Sequence, residues 1–161
     1  MSNKPTPARV RQVTDSIWTF SRPFLRANLF KIGGRATAVR LSNGEVFLVS
    51  PVQPDETTKA TLDKIGKVAY LVAPDYEVRS SSCEAHQQHH IFLKRYKEWY
   101  PDAQLVGVEG LNERKAKEGL TFDFLFDRNN NEKTFGPDGE VYTPISGLIE
   151  DSSSLFPSYA K

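Results

Sequence analysis

The sequence predicts an α/β fold with a mixed sheet and flanking helices, on three observations. Two apolar-rich runs, residues 36–41 and 45–50, flank Ser42-Asn43-Gly44, and Asn-Gly tolerates the positive φ values that tight hairpin turns need. The run VAYLVA at 68–73 is continuously apolar, as in a strand covered on both faces within a parallel sheet with helices above and below. Beyond a polar stretch, Phe92, Leu93, Tyr96 and Tyr100 recur at three- and four-residue spacing, the apolar stripe of an amphipathic helix.

The remaining elements follow in order. Residues 1–12 form a polar, proline-bearing arm with too little apolar content to order itself, so a disordered arm is expected. Residues 13–32 are rich in aromatic and β-branched side chains, which favours short strands on either side of a break at Arg22-Pro23. The strand ending near Ser50 halts at Pro51. Pro54-Asp55-Glu56 then supplies proline and acids at a helix start, where a missing N–H costs nothing and negative charge suits the dipole. That helix, 54–65, has sparse apolar positions, Ala60, Leu62 and Ile65, so it is expected to lie on a sheet face with its polar side in water and to stop at Gly66. A strand over 67–73, a helix over 89–100 ended by Pro101, a strand over 105–108 and a short helix over 110–118 make an alternating series, with right-handed crossovers expected. FDFLFD at 122–127 reads as an edge strand before the polar run 128–133. One domain, 13–127, carries the core, and 128–161 reads as an irregular tail.

Composition narrows the function. With 39% hydrophobic and 25% charged content over 161 residues, the chain is long enough for one globular core. Its 21 basic and 20 acidic side chains leave a formal net charge of +1 with no long block of either sign, so neither nucleic acid nor an anionic membrane is expected as a partner. A small-molecule substrate suits such a surface better, if the chain is active. The N-terminus lacks the apolar core of a secretory signal, no run approaches membrane-span length, and a cytoplasmic location is expected. Cys83 is the single cysteine and forms no internal disulfide.

The chemistry-bearing residues cluster. Cys83, His86, His89 and His90 occupy eight consecutive positions and include every histidine of the chain. These are zinc or copper ligands by type, but a structural zinc draws four ligands, usually from two separated pairs, and there is no second group. Solvated loop side chains are the plainer reading. A tighter set joins Asp75, at the end of the 67–73 strand, to His89 and His90 at the following helix start, because a carboxylate and imidazoles on one rim can hold zinc or another divalent metal that activates water. Against it stands the reading in which Asp75 completes a turn after Pro74, one histidine packs and the other is wet. No G-x-S-x-G elbow, glycine-rich phosphate loop or dinucleotide fingerprint is present, and Gly33-Gly34 lies between strand patterns.

In the order IWTF, AVRLSNGEVFLVSPV, LDKIGKVAYLVAPD and HHIFLKRYKEWYPDAQLVGVEGL, the chain resembles an uncharacterised family with a metallo-β-lactamase-like fold, over residues 13–114. The resemblance implies the N-terminal half of an αββα sandwich, with its site at the loop after Ala73. Where metal-dependent members of the wider superfamily carry H-x-H-x-D-H, this chain has Pro74-Asp75-Tyr76-Glu77 and then His89-His90. Most of the ligands of a two-metal hydrolytic centre are therefore missing. Residues 78–88, VRSSSCEAHQQ, read as a polar loop insert, and after Gly136 the resemblance ends. On this reading the domain is incomplete at its C-terminal side. A sheet face around Val46–Val49 or Val68–Val72 is then left uncovered, open to self-association. The function expected is that of a metallo-β-lactamase-like domain without a complete metal centre and without catalysis. The alternative is a metal-dependent hydrolase of a small ester, lactone or thioester.

Overall fold

The Asn43-Gly44 turn organises the sheet. In the computed structural model, which describes residues 6–26, 30–74, 90–126, 134–135 and 141–142, strands β3 (Phe30–Arg40) and β4 (Glu45–Val49) pair antiparallel across it, with Val39 opposite Phe47. Gly44 takes φ 84°, Asn43 Oδ1 accepts the Glu45 N–H at 2.9 Å, and the Leu41 N–H donates to the Glu45 carbonyl at 2.8 Å.

From β4 the chain runs forward in parallel steps, through β5 (Lys67–Val72), β6 (Gln104–Val108) and β7 (Phe124–Phe126). The intervening connections carry α1 (Glu56–Ile65), α2 (Leu93–Trp99) and α3 (Leu111–Lys115), the last continued by a 3₁₀ turn over Ala116–Glu118. On the other side of β3 lie β2 (Ile17–Arg26) and β1 (Arg9–Gln12), both antiparallel. The seven strands stand in sequence order, β1 to β7, and β8 (Thr134–Phe135) pairs with β9 (Val141–Tyr142) as a separate two-stranded ribbon.

Several sequence expectations need correction. The N-terminal arm is ordered from Thr6 within the described residues, because β1 pairs with β2 and the Ala8 N–H donates to Asp55 Oδ2 at 2.8 Å. Local composition does not reveal a partner 47 residues away. Arg22-Pro23 does not break β2. The pairing with β1 ends at Ser21, so from Arg22 onward one side of β2 has no neighbouring strand among the described residues, and an open edge tolerates a residue without an N–H. The helix expected from His89 begins at Leu93, after a turn over 90–92, and the N-cap position falls on Phe92, which has no side-chain acceptor for the first N–H groups. Finally, the three described helices do not lie above and below the sheet: Leu62 and Ile65 of α1, Leu93 and Tyr96 of α2 and Leu111 of α3 all pack into one core with Phe20, Leu48 and Leu71.

The opposite sheet face carries its own apolar cluster, Leu41, Phe47, Val72, Val106 and Phe126. These side chains are buried, Val106 completely. The strands expected to expose a sticky surface, β4 and β5, hold Val46, Phe47, Leu48, Val68, Leu71 and Val72 out of water, and Val13 is the large hydrophobic residue that stands exposed among the described residues.

Candidate functional site

Four parallel strands place their carboxyl ends on one rim, where α/β folds gather chemistry. The segment leaving β4 begins at Ser50, which holds φ 54°, the one positive value outside glycine among the described residues. Its N–H donates to the Val72 carbonyl at 2.9 Å, so the chain is bent across the end of β5 before it reaches Pro51. At the next strand end the Ala73 N–H donates to the Val106 carbonyl at 2.9 Å, and Pro74 follows, half-buried. At the third, the Glu109 N–H donates to the Phe126 carbonyl at 2.9 Å, and Gly110 turns the chain at φ 88°. Backbone hydrogen bonds thus tie each strand end to its neighbour.

The strongest polar arrangement on this side is centred on Asp55. Its Oδ1 caps α1 by accepting the Thr58 N–H at 2.7 Å, while its Oδ2 accepts from the Ala8 N–H at 2.8 Å and from Arg22 Nη1 at 2.9 Å. Arg22 is buried, and the same Nη1 also donates to the Gln53 carbonyl at 2.8 Å. Burial pushes the Asp55 carboxyl up. The two backbone N–H groups and the guanidinium outweigh that and hold it below the ordinary carboxylate value. Tyr96 of α2 sits within the field of this pair. Its hydroxyl has no hydrogen-bond partner among the described residues, and burial first, then the Asp55 charge, hold the phenol protonated well above its ordinary range. The cluster is therefore a fixed carboxylate–guanidinium pair with both charges already engaged, beside a neutral phenol.

Of the residues expected to hold a metal, Asp75 and His89 lie outside the described residues, as do Cys83 and His86. His90 is described, and it is 1% exposed in the turn leading into α2. No group of three or more histidine, cysteine, aspartate or glutamate side chains converges as a metal site among the described residues. The half-buried Asp55 carboxylate is committed to a helix cap and an arginine. His90 is thus the one member of the expected donor set among the described residues, and a catalytic zinc draws at least three protein ligands around an open position.

Sequence reasoning placed Asp55 at a helix start but not in a pair with a buried arginine, read Arg22 as part of a break, and counted Tyr96 only as a member of an apolar stripe. The one available signal was the aspartate three residues before Thr58, the spacing of a side-chain cap. Nothing local announces a partner 33 residues away on another strand.

The sequence matches no protein-family model and no curated protein. Solved structures do resemble it. A metallo-β-lactamase, DIM-1, superposes with a TM-score of 0.61 at 13% identity, over 83% of this chain and 57% of its own. The metallo-β-lactamase of Pontibacter korlensis gives 0.51 at 14% identity, over 82% and 57% of the two chains. A putative diflavin flavoprotein fragment from Nostoc sp. PCC 7120 gives 0.52 at 12% identity, over 83% and 54%. The chain spans a little over half the length of each of these structures. It has the metallo-β-lactamase fold over its mixed sheet and one helical layer.

Proposed function

We propose that this chain uses the metallo-β-lactamase fold as a non-catalytic scaffold, without a complete metal centre. The observation that carries the reading is the donor inventory: three histidines in the whole chain, all between 86 and 90, with His90 buried. A hydrolytic centre of this fold type needs imidazoles from several strand ends, and the other rim segments, 50–55 and 109–110, supply no histidine or cysteine. Asp55 lies in one of them with its carboxylate already bonded to Arg22, Ala8 and Thr58.

Metal analysis of the purified chain tests this. The expected result is far less than one zinc, iron or manganese per chain and no saturable binding in a zinc titration against a competing chelator. A metal content near one per chain that disappears in His90→Ala and in Asp75→Ala would overturn the proposal. It would favour instead a hydrolase of a small ester, lactone or thioester with Asp75, His89 and His90 as ligands.

A further inference from the structure

The antiparallel end of the sheet carries a different kind of surface from its apolar, parallel end. On the face away from the helices, Arg9, Arg11 and Val13 follow one another along and beyond β1, Thr19 and Ser21 project from β2, and Arg35 from β3; together they line an open groove of about 570 Å³. The pairing register arranges them in rows. Arg9 stands opposite Ser21, and Ser21 opposite Arg35, so two guanidinium groups flank one hydroxyl across three strands. In the next row Arg11 stands opposite Thr19, and Thr19 opposite Thr37.

Strand spacing places the Arg9 and Arg35 backbones about 10 Å apart, a gap that two long arginine side chains close onto a single ligand from both sides. Arg35 Nε donates to Ser21 Oγ at 3.3 Å, and both residues line the groove. Among the described residues, no carboxylate pairs with Arg9, Arg11 or Arg35, whereas Arg22 and Arg95 each have an acidic partner. Three unneutralised guanidinium groups beside two hydroxyls offer the forked donors that match phosphate oxygens. Val13, 50% exposed at the end of the groove, offers apolar contact.

We propose that this groove binds a small organic phosphate, a soluble molecule with a diphosphate group held by Arg9, Arg11 and Arg35 and a compact body against Val13. The volume suits a nucleotide-sized ligand. A nucleic acid is the poorer fit, because its affinity comes from many phosphate contacts along a stripe and these arginines occupy two short rows of a chain with a net charge of +1.

Calorimetric titration of the full chain with inorganic pyrophosphate and with ADP tests the assignment. Saturable one-to-one binding is expected, weakened more than tenfold in the double variant Arg9→Gln/Arg35→Gln and unchanged in Arg95→Gln. Partial recovery is expected in Arg9→Lys/Arg35→Lys, which keeps the charge but loses the fork. A second readout needs no variant: amide NMR shifts on adding pyrophosphate to the wild-type chain are expected at Thr19, Ser21 and their neighbours in β1 and β3. The proposal is overturned by an absence of binding at millimolar pyrophosphate, by equal affinity in the double glutamine variant, by equal loss in Arg95→Gln, by shifts centred elsewhere, or by binding seen only with oligonucleotides or anionic vesicles.

Discussion

Asp55 does three jobs with one carboxylate: it caps α1, anchors the backbone at Ala8 and neutralises buried Arg22. Removing it leaves a guanidinium out of water with a lone carbonyl partner among the described residues, and breaking such a pair by deleting one member is far costlier than the pair's net worth. Asp55→Ala is expected to destabilise the fold by about 3 kcal/mol in urea denaturation, and Asp55→Asn by less, because the amide oxygen still caps α1. The pH dependence has a definite sign. The folded carboxyl lies below its ordinary value of 3.8, so its contribution is complete above the unfolded-state pKa and is lost as pH falls through the folded one. Between about pH 5 and pH 3 the wild-type urea midpoint is expected to fall more steeply than that of Asp55→Asn.

At the scale of elements, two glycines set how closely backbone layers approach. Gly66 ends α1 with its N–H on the Leu62 carbonyl. A Cβ there would lie 2.1 Å from the Gly44 carbonyl oxygen, in the turn between β3 and β4. That contact is backbone against backbone and cannot be relieved by a rotamer change. Gly66→Ala is expected to cost about 2–3 kcal/mol and to shift the Asn43 and Gly44 amide resonances, whereas Gly33→Ala, which meets nothing within 4 Å, should leave them in place. At Gly107 in β6 the close approach is to side chains instead, since a Cβ would meet the Phe122 ring at 2.7 Å and a Leu111 methyl at 2.8 Å. The ends of α1 and α2 are joined by polar contacts as well: Tyr100 donates its hydroxyl to Asp63 at 2.9 Å, and Lys59 lies 5.5 Å from the Tyr100 ring centre.

For the whole molecule, the question is whether the two sheet faces fold as one unit. Phe47 and Leu48 are neighbours on β4 but point to opposite sides, one into the Val72–Val106–Phe126 cluster and the other into the helical core. Both are buried. Phe47→Ala and Leu48→Ala are each expected to cost about 3 kcal/mol in a single cooperative urea transition with an unchanged slope. A Phe47→Ala variant as stable as the wild type would mean that the second face is wet in solution.

The sequence by itself determined the alternation of strands and helices from 36 onward, the hairpin, the stop at Gly66 and the apolar character of β5 and β6. These follow from periodicity and turn chemistry, which act over a few residues. Tertiary structure decided the rest. That Arg9–Gln12 is a strand depends on β2, and that Pro23 lies within a strand depends on where β1 ends. The placement of all three helices on one face, the Arg22–Asp55 pair and the rows of arginine across β1 to β3 depend on register between segments far apart in the chain. The candidate ligands showed the same limit: a packed histidine was one of the readings open at the helix start, but that His90 is buried was decided by what packs over it and not by its immediate neighbours.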